Sequence, residues 1–350
     1  HKLNRDWLEL EKNCYNYFFQ SLDFIKNYLL FKKNIKDINL NLVVVRSNQD
    51  QSIMCIFPFQ IVNLFGVKIL QWLGTRDVDY CSPIIRKNIN LDLIFSSIWK
   101  ETIKHIDGYD LIFLDRQPML IGEFKNPFIE FLPSKIFSKS YITKLSNNFS
   151  NDLNLVKNKK FLSEFNRTEK KLQSNNEVEF KVISEKDTSL SLSNIIKNKI
   201  FQLNELQIKH NLNEDLINFF EKIEENCPKK IILAALYINN EIIAASFNFS
   251  HKERFYYYMP TVFNKKYNKF SPGKILISYL LNWSSVNNIN TFDFGIGEES
   301  YKKYWASDSI NLYRYLNFKT FKGFMFFIIF KLYLLKPINK ILKKIKLRSF

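Results

Sequence analysis

The spacing of hydrophobic and polar positions changes character several times along the chain. In residues 3–35, Trp7, Leu10, Cys14, Tyr17, Phe18 and Leu22 recur three or four apart, which predicts helix. The period then shortens. Leu42–Arg46, Ser52–Phe59 and Val67–Leu73 are β-branched and aromatic runs separated by polar or glycine-bearing turns, and they predict an antiparallel meander. Helical spacing returns over Leu91–His105, and Tyr109–Asp115 reads as a short buried strand closed by Arg116-Gln-Pro118. Around 147–180, Phe149, Leu153, Phe161, Phe165 and Leu172 predict a connecting helix that stops at Ser174-Asn-Asn176.

Residues 190–226 read as helical. A second meander follows over Ile231–Ile238, Glu241–Phe249 and Phe255–Met259, with Asn239-Asn240 supplying the positive φ that tight hairpins need. A loop over 260–270 leads to Ser271-Pro-Gly273, a helix to about Val286, the strand Thr291–Phe294, and the polar-aromatic segment Tyr301–Trp305. The order helices, meander, helix, strand thus occurs twice, over 3–115 and 190–294, with no identity at a fixed period. The prediction is an α/β (α+β) chain of two similar domains, each a mixed, mainly antiparallel sheet flanked by helices. Its parts are a first domain over 1–150, a connecting helix and linker over 151–185, a second domain over 186–320 and a tail over 321–350.

Charge refines this division. The 350 residues carry a net +17, but residues 319–350 hold nine Lys and Arg and no acid, leaving +8 on the rest. The basic character belongs to a tail, which argues against a nucleic-acid surface spread over the fold. Within the tail, Ile338, Ile341, Leu342, Ile345 and Leu347 lie mostly three or four apart with Lys340, Lys343, Lys344 and Lys346 between them. With the apolar run Phe324–Leu335 before it, 321–350 is an amphipathic segment suited to an anionic membrane surface. That run is about 18 Å long as helix, against ~30 Å for a bilayer core, so it cannot span. Residues 1–13 are charged and lack the apolar core of a secretory signal, and the four Cys form no CxxC pair. The expectation is a reduced, cytoplasmic protein, peripheral at the inner face of the cytoplasmic membrane.

Two constellations carry candidate chemistry. Ser is a preferred N-cap, Pro suits the first helical position and Gly allows close approach, so Ser271-Pro-Gly273 predicts an open helix N-terminus that attracts anions, flanked by Lys269 and Lys274. The same three residues also make an ordinary helix start. The second is Phe292–Trp305, with an acid inside an aromatic strand, two glycines at its end, then Glu, Tyr and Lys, as suits the rim of a sheet where ligands gather. Its Asp-Phe-Gly lacks the other kinase elements, which rejects that reading. His1, His105, His210 and His251 show no metal-ligand spacing, so no metal is expected. Cys81 reads as a buried thiol, and no Ser-His-Asp or GxSxG arrangement is present.

Together, Tyr267-x-x-Phe-Ser-Pro-Gly273 and Phe292-Asp-Phe-Gly-x-Gly-Glu-x-x-Tyr-Lys-x-x-Trp305 resemble the FemAB-like branch of the GNAT acyltransferase superfamily, in particular the CelD/BcsL acetyltransferases of cellulose and exopolysaccharide loci. Asp79-Tyr-Cys-Ser-Pro83, Leu111-Ile-Phe-Leu-Asp-Arg-Gln-Pro118 and the segment around Arg167 resemble the same family, and the likeness covers roughly 40–318. The common GNAT loop has two spaced glycines after a basic residue, of which only Gly273 remains here. The resemblance implies a tandem GNAT fold, with acetyl-CoA or another acyl-CoA held at Lys269, Ser271, Gly273 and Lys274. Strand N–H groups near Tyr258–Pro260 would polarise the thioester. Asp293 and Glu298 become candidate bases, Tyr301 a proton donor to the leaving thiolate and Lys302 a substrate or carboxylate anchor, while Asp79 and Tyr80 would help bind the acceptor. Each has a plainer role open to it: Asp293 as the cap of a turn, Glu298 as a helix N-terminal acid, Lys302 as a solvated charge, Tyr301 as packing, Asp79 and Tyr80 as turn residues. The expected function is transfer of an acyl group to an amino or hydroxyl group of a sugar or cell-envelope precursor. The alternatives are a FemAB-like aminoacyltransferase using charged tRNA, or a non-catalytic scaffold in polysaccharide assembly.

Overall fold

The computed structural model describes residues 2–33, 38–75, 77–87, 89, 91, 94–146, 159–183 and 190–334. Its elements in chain order are α1 (Lys2–Lys12), β1 (Cys14–Tyr15), α2 (Leu22–Lys33), β2 (Ile38–Arg46), β3 (Ile53–Leu64), β4 (Val67–Trp72), β5 (Ile84–Arg86), α3 (Phe95–His105), β6 (Leu111–Pro118), β7 (Leu120–Ile121), β8 (Phe124–Lys125), α4 (Pro127–Glu130) and β9 (Lys135–Lys144). They continue with α5 (Lys159–Gln173), β10 (Val178–Ile183), α6 (Leu192–Glu205), α7 (Glu214–Asn226), β11 (Ile231–Ile238), β12 (Glu241–His251), β13 (Arg254–Val262), α8 (Pro272–Val286), β14 (Thr291–Ile296), α9 (Ser300–Trp305), β15 (Asp308–Phe318) and α10 (Phe321–Leu334).

The chain forms two compact units, one of residues 1–22, 32–137 and 312–350, the other of residues 23–31 and 138–311. In the first, β2, β3 and β4 make the antiparallel meander expected from the sequence, α3 crosses over, and β6 returns parallel to β4 through Ile69–Leu111 and Leu70–Ile112. In the second, β11, β12 and β13 form the meander, α8 crosses over, and β14 returns parallel to β13. The same topology therefore occurs twice. Each copy is extended by a strand from the other half of the sequence: Leu312–Phe318 of β15 runs antiparallel to β6, and Ser140–Lys144 of β9 runs antiparallel to β14.

Local chemistry explains most of the boundaries. Asn239 and Asn240 both have positive φ in the β11–β12 turn, as the hairpin requires. The stretch 190–226 is two helices. A positive φ at Gln207 breaks the first, Ser191 and Asn194 form a capping box at its start, and Asn213 caps the second through the N–H of Leu216. The helical stripe of residues 3–35 is likewise interrupted: Cys14 and Tyr15 pair with Arg86 and Ile85 before α2 begins. Those apolar positions are buried as the spacing implied, but by several short elements instead of one helix face.

The core of the second unit lies between its sheet and helices α5 and α8, where Ile275, Leu276, Ile277, Leu280 and Leu281 are buried. Trp305 is fully buried there, with its ring edge-on to Phe161 and Phe165 of α5, each at 5.1 Å. Such edge-to-face pairs contribute about 0.5–1.5 kcal/mol beyond area burial. In the first unit Phe128 plays the central part, meeting Phe57, Trp72, Phe95 and Trp99 at 4.9–5.3 Å. The expected continuation of the tail, with Ile338 to Leu347 and its lysines, lies outside the described residues, as do Phe149 and Leu153.

Candidate active site

Strands β13 and β14 run parallel only from Arg254–Thr291 to Tyr256–Asp293, although β13 continues to Val262 and β14 to Ile296. The register of β13 against β12 shifts at the same level: Met259 faces Phe247 and Tyr257 faces Asn248, so Tyr258 is the extra residue of a bulge. A bulge bends its strand, and here it falls where β13 stops pairing with β14. At this opening lies a cavity of about 330 Å³. Its walls are Lys199 and Gln202 of α6, Tyr257 and Pro260–Val262 of β13, Asn268, the first turn of α8 from Ser271 to Lys274 with Leu276 and Ile277, and Tyr301 of α9.

The α8 N-terminus is built differently from expectation. Ser271 has φ 52° and ψ 59°, and its side chain makes no capping hydrogen bond. A side-chain N-cap needs an extended backbone, so the left-handed conformation of Ser271 excludes that role. Its carbonyl instead accepts from the N–H groups of Lys274 (2.8 Å) and Ile275 (3.4 Å). Pro272 has no N–H, which makes Gly273 the first backbone donor of the helix. A Cβ at Gly273 would meet no atom within 4 Å, so the space above it is open to a ligand. Lys274 lines the cavity with its ammonium over the rings of Phe161 (5.4 Å) and Tyr304 (5.8 Å). Lys269 is not among the lining residues; its ammonium sits 5.1 Å from the Phe270 ring.

Of the four residues proposed for the chemistry, Tyr301 alone lines the cavity. Asp293 is fully buried and its carboxylate is occupied: it accepts from Arg254 Nη1 (2.7 Å), the Gly295 N–H (2.8 Å) and the Ser140 hydroxyl (3.3 Å). Glu298 is exposed and pairs with Lys303 at 3.3 Å. Lys302 is buried, donating to the Ile296 carbonyl (2.8 Å) and pairing with Glu299 (2.9 Å). These contacts tie α9 to the end of β14. They also explain Gly297, whose φ is 122° and whose hypothetical Cβ would lie 2.5 Å from Glu299 Oε2.

The lining residues with no counterpart among those expected from sequence include Lys199, Gln202 and Tyr257. Burial, with the charge of Lys302 added, lowers the Lys199 pKa, and Glu299 opposes that shift. Burial pushes the Tyr257 phenol well above its ordinary value, with the nearby Tyr301 adding to the effect. Tyr257 therefore stays protonated at neutral pH. Phe255 and Tyr257, two apart and ahead of the bulge, both face the core on the α8 side of the sheet, whereas Tyr258 packs with Phe220, Phe247 and Phe249.

Asp79 and Tyr80 belong to the first unit. Tyr80 is buried and stacked on Tyr17 with ring centroids 4.4 Å apart, while its carbonyl accepts from Gln20 at 2.7 Å. Cys81 is buried, and burial raises its thiol pKa to about 12, which removes it as a nucleophile at neutral pH.

A meander, a crossover helix with an open N-terminus, and a parallel strand splayed from the meander give the second unit a GNAT-like fold, and residues 159–303 match the family model described as an acetyltransferase (GNAT) domain. No curated protein matches the sequence. Among solved structures the chain is similar to the crystal structure of FemX, with a TM-score of 0.58 and 10% identity over 90% of this chain and 96% of that one. It is also similar to a conserved protein of unknown function from Bacteroides thetaiotaomicron, with a TM-score of 0.51 and 11% identity over 85% of this chain and 90% of that one. At such identities the likeness establishes the fold. The GNAT-like topology of the second unit, meander, crossover helix and parallel strand, is the one that the first unit repeats.

Proposed function

We propose that the protein transfers an acyl group, acetyl in the simplest case, from acyl-CoA to an amino or hydroxyl group of a sugar or cell-envelope precursor. One observation carries this reading: the 330 Å³ cavity at the splay of β13 and β14 combines the open first turn of α8, two lysines and two tyrosines. The helix N-terminus and Lys274 suit the donor's pyrophosphate, and the apolar wall of Leu276 and Ile277 suits its pantetheine arm. The sugar acceptor rests on the resemblance to the CelD/BcsL acetyltransferases alone.

The reaction forms a C–N or C–O bond at the thioester carbonyl carbon and breaks the C–S bond, so the acceptor loses a proton and the leaving thiolate gains one. In this reading Tyr301, which lines the cavity, supplies the second proton, and Tyr257, held protonated, hydrogen-bonds the developing charge. Lys199 lines the cavity and burial lowers its pKa, and in this reading it takes the role of base, since Asp293 is buried and paired and Glu298 is exposed and outside the cavity. The N–H donors for the carbonyl oxygen come from residues beside Pro260, which itself has none.

The test is an assay of free thiol released from acetyl-CoA with amino sugars and nucleotide-linked amino sugars as acceptors, run beside aminoacyl-tRNA as donor. The proposal expects acceptor-dependent thiol release that falls ~10-fold or more in kcat in Tyr301→Phe and Lys199→Met. Transfer from aminoacyl-tRNA with none from acetyl-CoA would move the protein to the aminoacyl reading. Absence of turnover with either donor would leave the scaffold.

A further inference from the structure

Helix α10 lies against the first unit through one face only. Phe326, Phe327 and Phe330 pack toward Val67, Ile69, Leu111 and Phe113, and Gly323 lets the helix approach so closely that a Cβ there would clash with the Asp110 carbonyl oxygen. The opposite face is also apolar. Phe321 is 77% exposed, Met325 43% and Ile329 50%, one turn apart. A helix that borders solvent carries polar residues on its outer face, but from Phe321 to Lys331 the charged residues are Lys322 and Lys331 alone.

The patch extends beyond the helix. Phe318 is 45% exposed and touches Phe324 with ring centroids 5.0 Å apart, and Phe324 meets Phe321 at 6.4 Å. At the tip of the β3–β4 hairpin Phe65 is 68% exposed and has φ 50°, a conformation in which a bulky residue is uncommon. The Lys322 ammonium donates to the carbonyl of Gly66, the next residue, so the hairpin tip and the first turn of α10 are neighbours. Lys319 and Lys322 flank Phe321 in sequence, Lys331 follows Ile329 by two residues, and the charges of Lys68 and Lys322 both act on Asp110. The patch's two nearby acids are engaged: Asp110 accepts from the Lys68 N–H (2.9 Å) and the Thr320 hydroxyl (2.8 Å), and Asp107 pairs with Lys319 at 3.8 Å.

We infer that this surface of Phe65, Phe318, Phe321, Met325 and Ile329 docks the protein onto an anionic lipid bilayer. Exposed aromatic and aliphatic side chains enter the acyl boundary while the lysines around them meet the lipid phosphates. The sequence after residue 334 adds Lys336, Lys340, Lys343, Lys344, Lys346 and Arg348 without an acid, which reinforces the same polarity. Charge also decides between occupants. A second copy of the chain would bring lysine rim against lysine rim, whereas a negatively charged bilayer is complementary to both the apolar centre and the rim. Among the described residues no helix is long and apolar enough to cross a membrane, and the proposed contact is with one leaflet.

The experiment is co-sedimentation of the full chain with vesicles of phosphatidylglycerol and phosphatidylcholine, and with vesicles of phosphatidylcholine alone, at low and high salt. The inference expects binding to the anionic vesicles that weakens with salt and falls ~10-fold or more in Phe65→Ser/Phe321→Ser, two exposed positions whose change leaves the thermal midpoint intact. Binding unchanged in that double variant, and lost only on deleting residues 335–350, would overturn the patch. So would a protein that stays in the supernatant with anionic vesicles at low salt. A dimer in sedimentation velocity that Phe321→Ser converts to monomer, with no vesicle binding, would assign the surface to a second copy and equally overturn the inference.

Discussion

Replacing Asp293 by Asn separates a catalytic carboxylate from a structural one. In the structure Asp293 is fully buried and pairs with Arg254 at 2.7 Å, while the Arg254 side chain keeps about a fifth of its surface exposed. Removing one partner of a buried pair costs ~3–5 kcal/mol, mostly because the other charge is left without compensation. Asn preserves an oxygen for the Gly295 N–H and the Ser140 hydroxyl, and water can reach the exposed flank of Arg254. The expected loss is therefore at or below the lower end, about 2–3 kcal/mol. For units of this size each kcal/mol moves the midpoint by ~2–4 °C, so Asp293→Asn should melt roughly 5–10 °C below wild type. Urea and thermal denaturation followed by circular dichroism measure this, with turnover recorded well below the variant's midpoint. The account expects kcat per folded molecule within a few-fold of wild type. An unchanged midpoint together with a ~10²-fold drop in kcat would refute it and restore Asp293 as the base.

Two further outcomes follow from buried titratable groups. Burial, with Lys230 and Lys252 nearby, lowers the His251 pKa from 6.5 to about 3, so between those values the unfolded chain binds the proton that the native imidazole refuses. Stability is then lost as pH falls, by roughly 2 kcal/mol between neutrality and pH 5 from this one group. His251→Gln should flatten the fall of urea midpoint with acid, and an identical slope in both proteins would contradict the assignment. Burial also raises the thiols of Cys55 and Cys81 to about 12, whereas Cys227 is only half-buried. A thiol-specific disulfide reagent at mildly alkaline pH should therefore label Cys227 in the native protein and the other three only in denaturant; rapid native labelling of Cys81 would refute its burial.

Both meanders were legible because β-branched and aromatic runs alternate with turn chemistry that tolerates little else, as at Asn239-Asn240. Strands β9, β10 and β15 were not. In β9 the residues Lys135–Lys139, Lys-Ile-Phe-Ser-Lys, are mostly exposed and show no alternation, and β15 is largely exposed or half-buried, so neither shows the apolar face that marks a strand. Their pairing is decided by partners more than a hundred residues away. The helix start that lines the cavity was legible for a similar reason to the meanders: Pro and Gly at Pro272-Gly273 announce it. The left-handed Ser271 was not, since Ser more often caps with its side chain. Lys199 is one lysine among many, and Tyr257 one tyrosine of three in a row; only the packing of α6 beside β13 and the bulge at Tyr258 give them a shared wall. Asp293 attracted attention as an acid inside an aromatic strand, and its meaning depended on Arg254 at the start of the neighbouring strand, 39 residues earlier.

The claim on which the account rests is that acyl-CoA enters the splay of β13 and β14 with its pyrophosphate over the first turn of α8. Calorimetric titration of acetyl-CoA into wild type and Gly273→Glu tests it directly. The space over Gly273 is open, so the longer side chain leaves the fold intact while setting a carboxylate where the phosphates would lie. The account predicts saturable binding to wild type and at least ~10-fold weaker binding to the variant, from the lost anion site and the added like charge. Equal affinity in the two proteins, at equal thermal midpoints, would place the donor elsewhere and contradict the account.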